Sequence, residues 1–351
     1  MLNLRAFFLF PFALLYQFIT QIRNKLYDSR YLRVEEFPVY TISVGNLNIG
    51  GSGKTPHITY LANLLSERFH TAIISRGYKR HTKGVIVAGE RDNARTLGDE
   101  PFQYVLRFGK RIPVVVGEKR VHAAQQLLNT YPDTRVLLLD DAYQHRAIGR
   151  HLNILLTRYG EPFYSDFIMP SGWLRESRSG AGRADALIIT KCPNRLEATE
   201  MDQISRKARK YLRTDCPVFF SSVVYHPPEP VFLNTSTLPA EFILLSSIAQ
   251  NQSFYEQASK QYTIIEHLAF PDHHYYQPGD LQRLEQLVNH HPGCGILTTE
   301  KDRSRLVNHP YAEALRSLPV YYLPISISFL GGNTAFNNFV LRKTNPFPAN
   351  A

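Results

Sequence analysis

A glycine-rich loop constrains this chain more than any other feature of its sequence. The loop is Asn48-Ile49-Gly50-Gly51-Ser52-Gly53-Lys54-Thr55, and it follows a predicted strand over Val39–Val44. It fits the pattern GxxxxGK[ST], except that Asn48 takes the first glycine position. The glycines let backbone N–H groups wrap a phosphate, while Lys54 would reach the β- and γ-phosphates and Thr55 would bind Mg²⁺. The sequence therefore predicts a site for a nucleoside triphosphate with Mg²⁺.

A second segment supports this prediction. The run Val136-Leu137-Leu138-Leu139-Asp140-Asp141 has four apolar residues that end in two carboxylates, which is the pattern of a Walker B strand. We expect Asp140 and Asp141 to approach Mg²⁺ from the end of that strand. The alternative is an ordinary strand that ends in a polar turn.

The rest of the chain alternates short apolar runs with helical segments. Such runs are typical of strands buried on both faces, so the sequence predicts an α/β fold with a mostly parallel sheet flanked by helices. A proline-rich segment, His226–Pro230, suggests a boundary, and a shorter α/β pattern follows it. We expect an N-terminal segment over 1–36, a P-loop core over 37–225 and a smaller C-terminal α/β domain over 226–351. In the first domain the predicted strands are Val39–Val44, Thr71–Ser75, Val85–Ala88, Pro113–Val116, Val136–Asp140, Leu152–Thr157, Ala186–Thr190 and Val218–Tyr225. In the second they are Phe242–Ser246, Tyr262–Glu266, Gly295–Thr299 and Val320–Ile325.

The N-terminus is apolar, and three interpretations compete for it. Residues Ala6–Tyr16 have the sequence AFFLFPFALLY, interrupted by Pro11 and followed by several arginines and lysines. A signal peptide lacks support because no small-x-small cleavage site follows. A helix buried in the core would suit so short a run, since spanning a bilayer takes about 20 apolar residues. We favour a helix that lies in the membrane interface, with basic residues at the lipid headgroups.

Composition limits the remaining classes of function. The net charge of +10 favours anionic partners, but the basic residues are spread along the chain and no nucleic-acid-binding motif is present. The three cysteines, Cys192, Cys216 and Cys294, are too far apart for a zinc site or a disulfide framework. The histidines show no spacing of a known metal motif.

Several short motifs, taken in order, resemble one family. They are VGNLNIGGSGKTP, Ser75-Arg76-Gly77-Tyr78, Gly98-Asp99-Glu100-Pro101, Asp140-Asp141-Ala142-Tyr143-Gln144-His145, Leu174-Arg175-Glu176 and Thr299-Glu300-Lys301-Asp302. Together they resemble tetraacyldisaccharide 4'-kinase, the inner-membrane lipid A kinase of Gram-negative bacteria. The resemblance runs from the apolar N-terminus to about Asp302. Two departures stand out: Ala142 and Tyr143 replace the family's Gly and Phe, and Ser247 replaces the glycine of its Ser-Gly-Ile-Ala segment.

This resemblance implies transfer of the γ-phosphoryl group of ATP, with Mg²⁺, to the 4'-hydroxyl of an acylated glucosamine disaccharide 1-phosphate. It implies a P-loop core, a smaller C-terminal domain and a cleft between them. It also implies a monotopic protein on the cytoplasmic face of the inner membrane. Nothing in the sequence points to nucleic acid or to an obligate protein partner. The main alternative is a membrane-associated P-loop ATPase without a sugar acceptor.

The resemblance also suggests the catalytic residues. Asp99 matches the family's catalytic aspartate, and His273 matches the histidine thought to pair with it; His274 is the fallback. With Lys54, these are the candidate catalytic residues. From the sequence alone, Asp99-Glu100 also fits the first turn of a helix. The pair would bridge two domains, so we expect it to form when the cleft closes.

An anionic, lipid-bearing substrate needs cations and polar groups around it. Arginines can hold a phosphate through a bidentate fork, although each could equally be a solvated surface charge. Thr299, Glu300 and Lys301 end a predicted strand of the second domain, where we expect a nucleotide-side or hinge role. The candidate substrate-binding residues are Arg76, Tyr78, Glu100, Arg120, Gln144, His145 and Arg175.

Overall fold

The computed structural model describes residues 4–232 and 238–345, with side chains from residue 8 onward. The described part leaves out residues 1–3, 233–237 and 346–351. The first and last of these ranges belong to the ends of the predicted N-terminal segment and C-terminal domain. The strands are β1 Tyr40–Asn46, β2 Thr71–Ser75, β3 Ile86–Val87, β4 Val114–Val116, β5 Val136–Asp140, β6 Leu152–Arg158, β7 Ala186–Thr190, β8 Val218–Tyr225, β9 Glu229–Pro230, β10 Glu241–Ser246, β11 Thr263–Ala269, β12 Gly295–Thr299, β13 Val320–Leu323 and β14 Ile325–Phe329. The helices are α1 Leu4–Asp28, α2 Lys54–Ser66, α3 Ala94–Leu97, α4 Asp99–Phe108, α5 Arg120–Thr130, α6 Ala198–Arg209, α7 Asn251–Ala258, α8 Pro278–His290, α9 Glu300–Leu306, α10 Ala312–Arg316 and α11 Thr334–Thr344.

The larger sheet has nine strands in the order β14-β8-β7-β6-β1-β5-β2-β4-β3. All neighbours run parallel except the two edge strands β3 and β14, which are antiparallel to β4 and β8. Strands β1, β2, β5 and β7 are buried along their whole length, which explains their continuous apolar sequences. This confirms the predicted α/β class with a mostly parallel sheet.

Strand β1 lies between β5 and β6, where the order of the chain reverses. Open parallel sheets bind their ligands at such a point, beyond the carboxyl ends of the strands. The register pairs Val44 with Asp140, so the phosphate loop and the carboxylates after β5 leave the sheet side by side.

The smaller sheet has five strands in the order β11-β10-β12-β13-β9. The single strand predicted over Val320–Ile325 is divided at Pro324: β13 belongs to the smaller sheet and β14 pairs with β8 in the larger one. Helix α11 follows β14, and its Phe336 and Val340 join the apolar core of the larger unit. The last part of the predicted second domain therefore packs with the larger unit. The chain crosses between the two units twice, beside Tyr225 and beside Ile325.

The N-terminal helix α1 lies along the larger unit. Ala13 is buried, the hydroxyl of Tyr16 donates to the carbonyl of Arg175 at 2.9 Å, and Asn24 donates to the carboxylate of Glu176 at 2.8 Å. The other face exposes large apolar side chains, and among the described helices none has both the length and the apolar character needed to cross a bilayer. The exposed set is Phe8, Phe10, Phe12, Leu14, Leu15, Phe18, Ile19 and Ile22.

Candidate active site

The phosphate loop connects the buried end of β1 to the first turn of α2. Gly50 has φ of 112° and Gly53 has φ of 82°, a left-handed conformation that glycine adopts without strain. Lys54 begins α2 and Thr55 follows in its first turn, so the positive end of the helix faces the loop. The Lys54 side chain is nearly buried, and its Nζ lies 3.3 Å from Oδ1 of Asn46. The loop thus has the backbone shape and cation that a triphosphate requires.

Asn48, at the first glycine position, anchors the loop. It is buried, and its amide donates to Oδ2 of Asp166 at 2.7 Å. Its carbonyl accepts a hydrogen bond of 2.7 Å from the amide of Asn46. The residue that departs from the usual pattern therefore fixes the base of the loop to a neighbouring segment.

Asp140 ends β5 in a fully buried position. Oδ2 accepts a hydrogen bond of 3.0 Å from Ser75, whereas the buried Oδ1 has no hydrogen-bond partner within the described part of the chain. Burial, followed by the negative charges of Glu100 and Asp141, raises the pKa of Asp140 to about 7. A buried carboxylate oxygen without a partner, amid other carboxylates, fits a site for a divalent cation, and Mg²⁺ is usually held by one or two carboxylates plus substrate phosphates.

Asp141 has a different set of partners. Nη1 of Arg175 donates to both of its carboxylate oxygens, at 2.9 and 3.0 Å, and Oδ1 of Asp141 lies 3.7 Å from Nζ of Lys54. Burial alone would raise the pKa of Asp141, but Lys54 and Arg175 lower it. Arg175, predicted to bind substrate, is therefore engaged with Asp141 and keeps that carboxylate charged beside the phosphate loop.

Three more of the predicted residues surround the same strand ends. Arg120 is buried at the start of α5 and donates to the carbonyls of Gly117 and Asp140 at 3.0 and 3.1 Å. Burial lowers the pKa of Arg120 to about 10, and burial followed by the charges of Arg120 and Arg76 lowers the pKa of His145 to about 4. Arg76 is exposed at the end of β2. His145 is thus neutral near pH 7, and Arg76 offers its charge to solvent.

Gln144 has a supporting position. Its amide donates to the carbonyl of Asn46 and to the carboxylate of Glu176, both at 3.0 Å. Glu176 is buried and also receives Arg183 at 2.7 Å and Asn24 of α1. Glu176 therefore connects the N-terminal helix to the base of the phosphate loop, a role that sequence reasoning missed because the motif Leu174-Arg175-Glu176 does not show which distant side chains Glu176 contacts.

Asp99 lies at the start of α4, and two glycines bring it there. A Cβ on Gly98 would lie 2.9 Å from the carbonyl oxygen of Tyr78, and one on Gly77 would lie 2.8 Å from that of Leu97. Only glycine permits these two segments to approach so closely. The first turn of α4 then directs Asp99 toward the smaller unit, while the charge of Glu100 acts on Asp140, next to the predicted metal site.

His273 meets Asp99 from the smaller unit. Its Nδ1 lies 2.9 Å from Oδ2 of Asp99, and the same oxygen receives Nε of Arg305 at 2.8 Å. Burial alone would raise the pKa of Asp99, but hydrogen bonds from His273 and Arg305 lower it to about 2. His274, the fallback, instead faces Asp280 at 2.7 Å. Sequence reasoning did not identify Arg305, because it follows the last recognised motif.

A buried network fixes Arg305. Its Nη1 donates to Asp302 and to the carbonyl of Ser247, both at 2.9 Å, and Asp302 accepts from the backbone N–H of Ser247 at 3.0 Å. The hydroxyl of Ser247 also contacts both Asp302 and Arg305. The serine that replaces the family's glycine has no positive φ, and its hydroxyl joins the support of Arg305.

A cavity of about 520 Å³ opens beside Asp99 and His273, between the two units. Its lining includes Lys79 and Arg95 from the larger unit and His309 from the smaller one. Tyr78 is exposed, and its ring lies 6.1 Å from that of His273. The cavity is cationic, so its chemistry suits an anionic, hydroxyl-bearing ligand.

Other polar contacts hold the two units together. Glu300 pairs with Arg107 of α4 at 2.9 Å, and Lys301 lies 3.0 Å from Asp272 and 3.4 Å from Nε2 of His273. Glu300 also accepts from the backbone N–H of Ile325, where the chain crosses between the units. The segment for which a hinge or nucleotide-side role is predicted thus lies where the chain crosses between the units.

Two cations beside the phosphate loop carry no recognisable motif. A Cβ on Gly50 would lie 3.6 Å from Nη2 of Arg158, and one on Gly51 would lie 4.0 Å from Nζ of Lys191. Arg158 is the last residue of β6 and Lys191 directly follows β7, and these neighbouring parallel strands end at the same edge of the sheet. Burial, followed by the charge of Arg158, lowers the pKa of Lys191. Their positions at strand ends would have indicated a place near the phosphate loop only if the order of the strands in the sheet had been known.

Comparisons with known proteins agree on one family. The family model for tetraacyldisaccharide-1-P 4'-kinase matches residues 5–345. The tetraacyldisaccharide 4'-kinase of Flavobacterium johnsoniae is 40% identical over 347 residues, which covers 97% of this chain and 98% of the relative. That of Bacteroides thetaiotaomicron is 37% identical and covers 92% of this chain and 88% of the relative. The LpxK structure from Aquifex aeolicus, solved in complex with ATP, has a TM-score of 0.75, 28% identity and covers 97% of this chain and 100% of that one.

Proposed function

The chain belongs to the tetraacyldisaccharide-1-P 4'-kinase family, and from this membership we propose how its own residues carry out the reaction. The reaction transfers the γ-phosphoryl group of ATP to the 4'-hydroxyl of tetraacyldisaccharide 1-phosphate, in lipid A biosynthesis. The observation that carries the proposal is the contact of Asp99 with His273 at 2.9 Å, in the cleft between the nucleotide-binding unit and the smaller one.

ATP and Mg²⁺ occupy the edge of the larger sheet in this proposal. Residues 48–55 would wrap the phosphates and Lys54 would bond the β- and γ-phosphates. Thr55 and Asp140 would hold Mg²⁺, which would supply positive charge to neutralise the phosphates. Asp141 keeps Lys54 and Arg175 in place. Arg158 and Lys191 lie beside Gly50 and Gly51 and add positive charge near the nucleotide.

Asp99 acts as the base. His273 and Arg305 both bond Oδ2, whereas Oδ1 accepts no hydrogen bond from the described residues and can accept one from the 4'-hydroxyl. As the hydroxyl oxygen bonds to the γ-phosphorus, its proton passes to Asp99 and ADP leaves. A base whose pKa is about 2 contributes mainly by orienting the hydroxyl, because little charge builds up on the nucleophile in a loose transition state.

The acceptor occupies the cationic cavity between the units. Lys79 and Arg95 face its phosphate-bearing sugars, with Arg76 and Tyr78 at the rim. The acyl chains extend toward the exposed apolar face of α1, which lies in the interface of the inner membrane on its cytoplasmic side. We also propose two units, with residues 325–345 joined to 37–225 and residues 226–324 forming the smaller unit.

A phosphate-transfer assay tests the function. With ATP, Mg²⁺ and the lipid disaccharide 1-phosphate, we expect a lipid product heavier by one phosphate. We expect Asp99→Ala to lower turnover by about 10²- to 10⁴-fold and to leave ATP binding intact, since Asp99 acts on the acceptor. Asp202→Asn, which alters a carboxylate in an exposed ion pair of α6, is the matched control. Acceptor-independent ATP hydrolysis without a phosphorylated lipid would favour an ATPase instead.

A further inference from the structure

A loop between β6 and β7 exposes two aromatic rings next to the phosphate loop. Residues 166–174 carry Phe167, which is 45% exposed, and Trp173, which is 65% exposed and is the one tryptophan of the chain. Ile49 of the phosphate loop is also exposed, and its backbone N–H donates to the carbonyl of Trp173 at 2.7 Å. Exposure of large apolar rings to water is unfavourable, so a cluster of them on the surface suggests a binding partner.

The loop has a fixed shape. Oδ1 of Asp166 accepts from the backbone N–H groups of Phe167 and Trp173, at 2.7 and 3.2 Å. The carbonyl of Asp166 accepts two hydrogen bonds from Arg178, at 2.9 and 2.7 Å. A Cβ on Gly172 would lie 2.2 Å from the carbonyl oxygen of Phe167, so the turn requires glycine there. The rings are therefore held outward by a rigid turn.

The same loop is connected to the nucleotide site. Oδ2 of Asp166 receives the amide of Asn48 at 2.7 Å, and Asn48 and Leu174 form an antiparallel bridge. Asn48 is the residue that departs from the usual phosphate-loop pattern. The Asn48 side chain explains this departure, because a glycine at position 48 could not donate a hydrogen bond to the Asp166 carboxylate, which also holds the loop over residues 166–174 in shape.

The loop also packs against α1, the helix that exposes an apolar face. The hydroxyl of Tyr16 bonds the carbonyl of Arg175, two residues after Trp173, and Ala13 shares an apolar cluster with Ile168 and Leu174. The guanidinium of Arg178 lies 5.5 Å from the centroid of the Phe167 ring, which brings a cation to the edge of this surface. Aromatic rings beside cations are typical of protein surfaces that meet lipid headgroups.

We propose that residues 166–174 are a second membrane-contacting element, in which Phe167 and Trp173 enter the headgroup region of an anionic phospholipid bilayer beside α1. The proposal rests on the proposed lipid substrate, since an enzyme that takes an acylated sugar from a bilayer gains by fixing its site at the surface. Through Asp166 and Asn48, the contact sets the position of the phosphate loop relative to the bilayer.

Tryptophan fluorescence tests the proposal on the unaltered chain, because the emission comes from Trp173 alone. On addition of phosphatidylethanolamine–phosphatidylglycerol vesicles, we expect a blue shift, and brominated phospholipids should quench the emission. The matched control is Trp173→Phe combined with Tyr131→Trp, which moves the reporter to an exposed aromatic position at the end of α5. Its emission should not respond to the same vesicles.

A binding measurement provides the second test. Phe167→Ser combined with Trp173→Ser should weaken vesicle binding by about tenfold, the effect of partly burying such rings. The control, Tyr131→Ser with Tyr311→Ser, should bind as the unaltered chain does. Emission that does not change on addition of vesicles overturns the proposal. This holds even if the emission shifts with Mg²⁺-ATP, with rising protein concentration or with micellar acceptor. The kinase assay measures phosphate transfer and does not depend on these results, so membrane contact by residues 166–174 and the proposed function can fail separately.

Discussion

Arg305 donates Nε to Oδ2 of Asp99 at 2.8 Å, from the opposite side of the cleft. The arginine is nearly buried and receives its own support from Asp302 and Ser247. It stabilises the charged form of Asp99 and, together with His273, occupies Oδ2, while Oδ1 accepts no hydrogen bond from the described residues. The two residues belong to different units, so this ion pair also contributes to closure of the cleft.

Removal of this ion pair should alter both the rate and its pH dependence. In Arg305→Gln we expect turnover to fall on the order of 10- to 100-fold, because Asp99 loses its fixed orientation. The pKa of Asp99 should rise from about 2 toward the ordinary aspartate value of 3.8, so the acid limb of the turnover profile moves to higher pH. Measured pH–rate profiles check both effects.

Two further variants complete that experiment. Arg305→Lys restores charge without the fork and should recover part of the activity. Arg283→Gln removes an exposed arginine of the same unit and should behave as the unaltered chain does. An acid limb that stays in place in Arg305→Gln, with normal turnover, would assign Arg305 no part in the site.

Lys54 is predicted to act on the nucleotide rather than on the acceptor. Lys54→Ala removes the cation that reaches the phosphates and that lies 3.7 Å from Asp141. We expect ATP binding to weaken by about tenfold or more in calorimetry, since a charge-assisted hydrogen bond contributes roughly 1.5–3 kcal/mol. Lys110→Ala, at an exposed ion pair, is the control. Tight ATP binding by Lys54→Ala would contradict the assignment of the loop.

Asp140 should make Mg²⁺ activation depend on pH. Its pKa is raised to about 7, so it is mostly protonated below that pH and must release its proton to bind a cation. The Mg²⁺ concentration for half-maximal rate, at saturating ATP, should therefore increase by up to about tenfold per pH unit below 7. Titrations of Mg²⁺ at several pH values measure this dependence.

Glu100→Gln offers an internal check on that titration. The negative charge of Glu100 contributes to the raised pKa of Asp140, so its removal should lower that pKa. The rise in Mg²⁺ requirement should then begin at a lower pH than in the unaltered chain. An identical pH dependence in both proteins would show that Asp140 is not the group that titrates.

Tyr143 accounts for one departure from the family. The side chain is fully buried, and its hydroxyl donates to the carbonyl of Gly180 at 2.8 Å. Tyr143→Phe should lower the free energy of unfolding by about 0.5–1.5 kcal/mol, the usual contribution of one hydrogen bond. Denaturant unfolding measures the change, and the assay should find turnover unaltered. A large loss of turnover with unaltered stability would assign the hydroxyl to the site instead.

Local patterns predicted most of the strands and helices. The bounds of β2, β5, β7, β8 and β12 match those predicted, because each has a strong apolar run that does not depend on distant contacts. The segment Val320–Ile325 did not behave as one strand. Both of its halves are apolar and extended, and only pairing with different sheets, on either side of Pro324, separates them.

The sequence by itself determined the phosphate loop, the paired carboxylates after β5 and the family, since each is a contiguous run with local chemistry. Tertiary structure alone decided what those residues touch. It selected His273 over His274, supplied Arg305 to Asp99, and joined Asn48 to Asp166. Such contacts join residues over 100 positions apart, because an ion pair forms wherever the sheets bring two side chains within about 4 Å, whatever their separation along the chain.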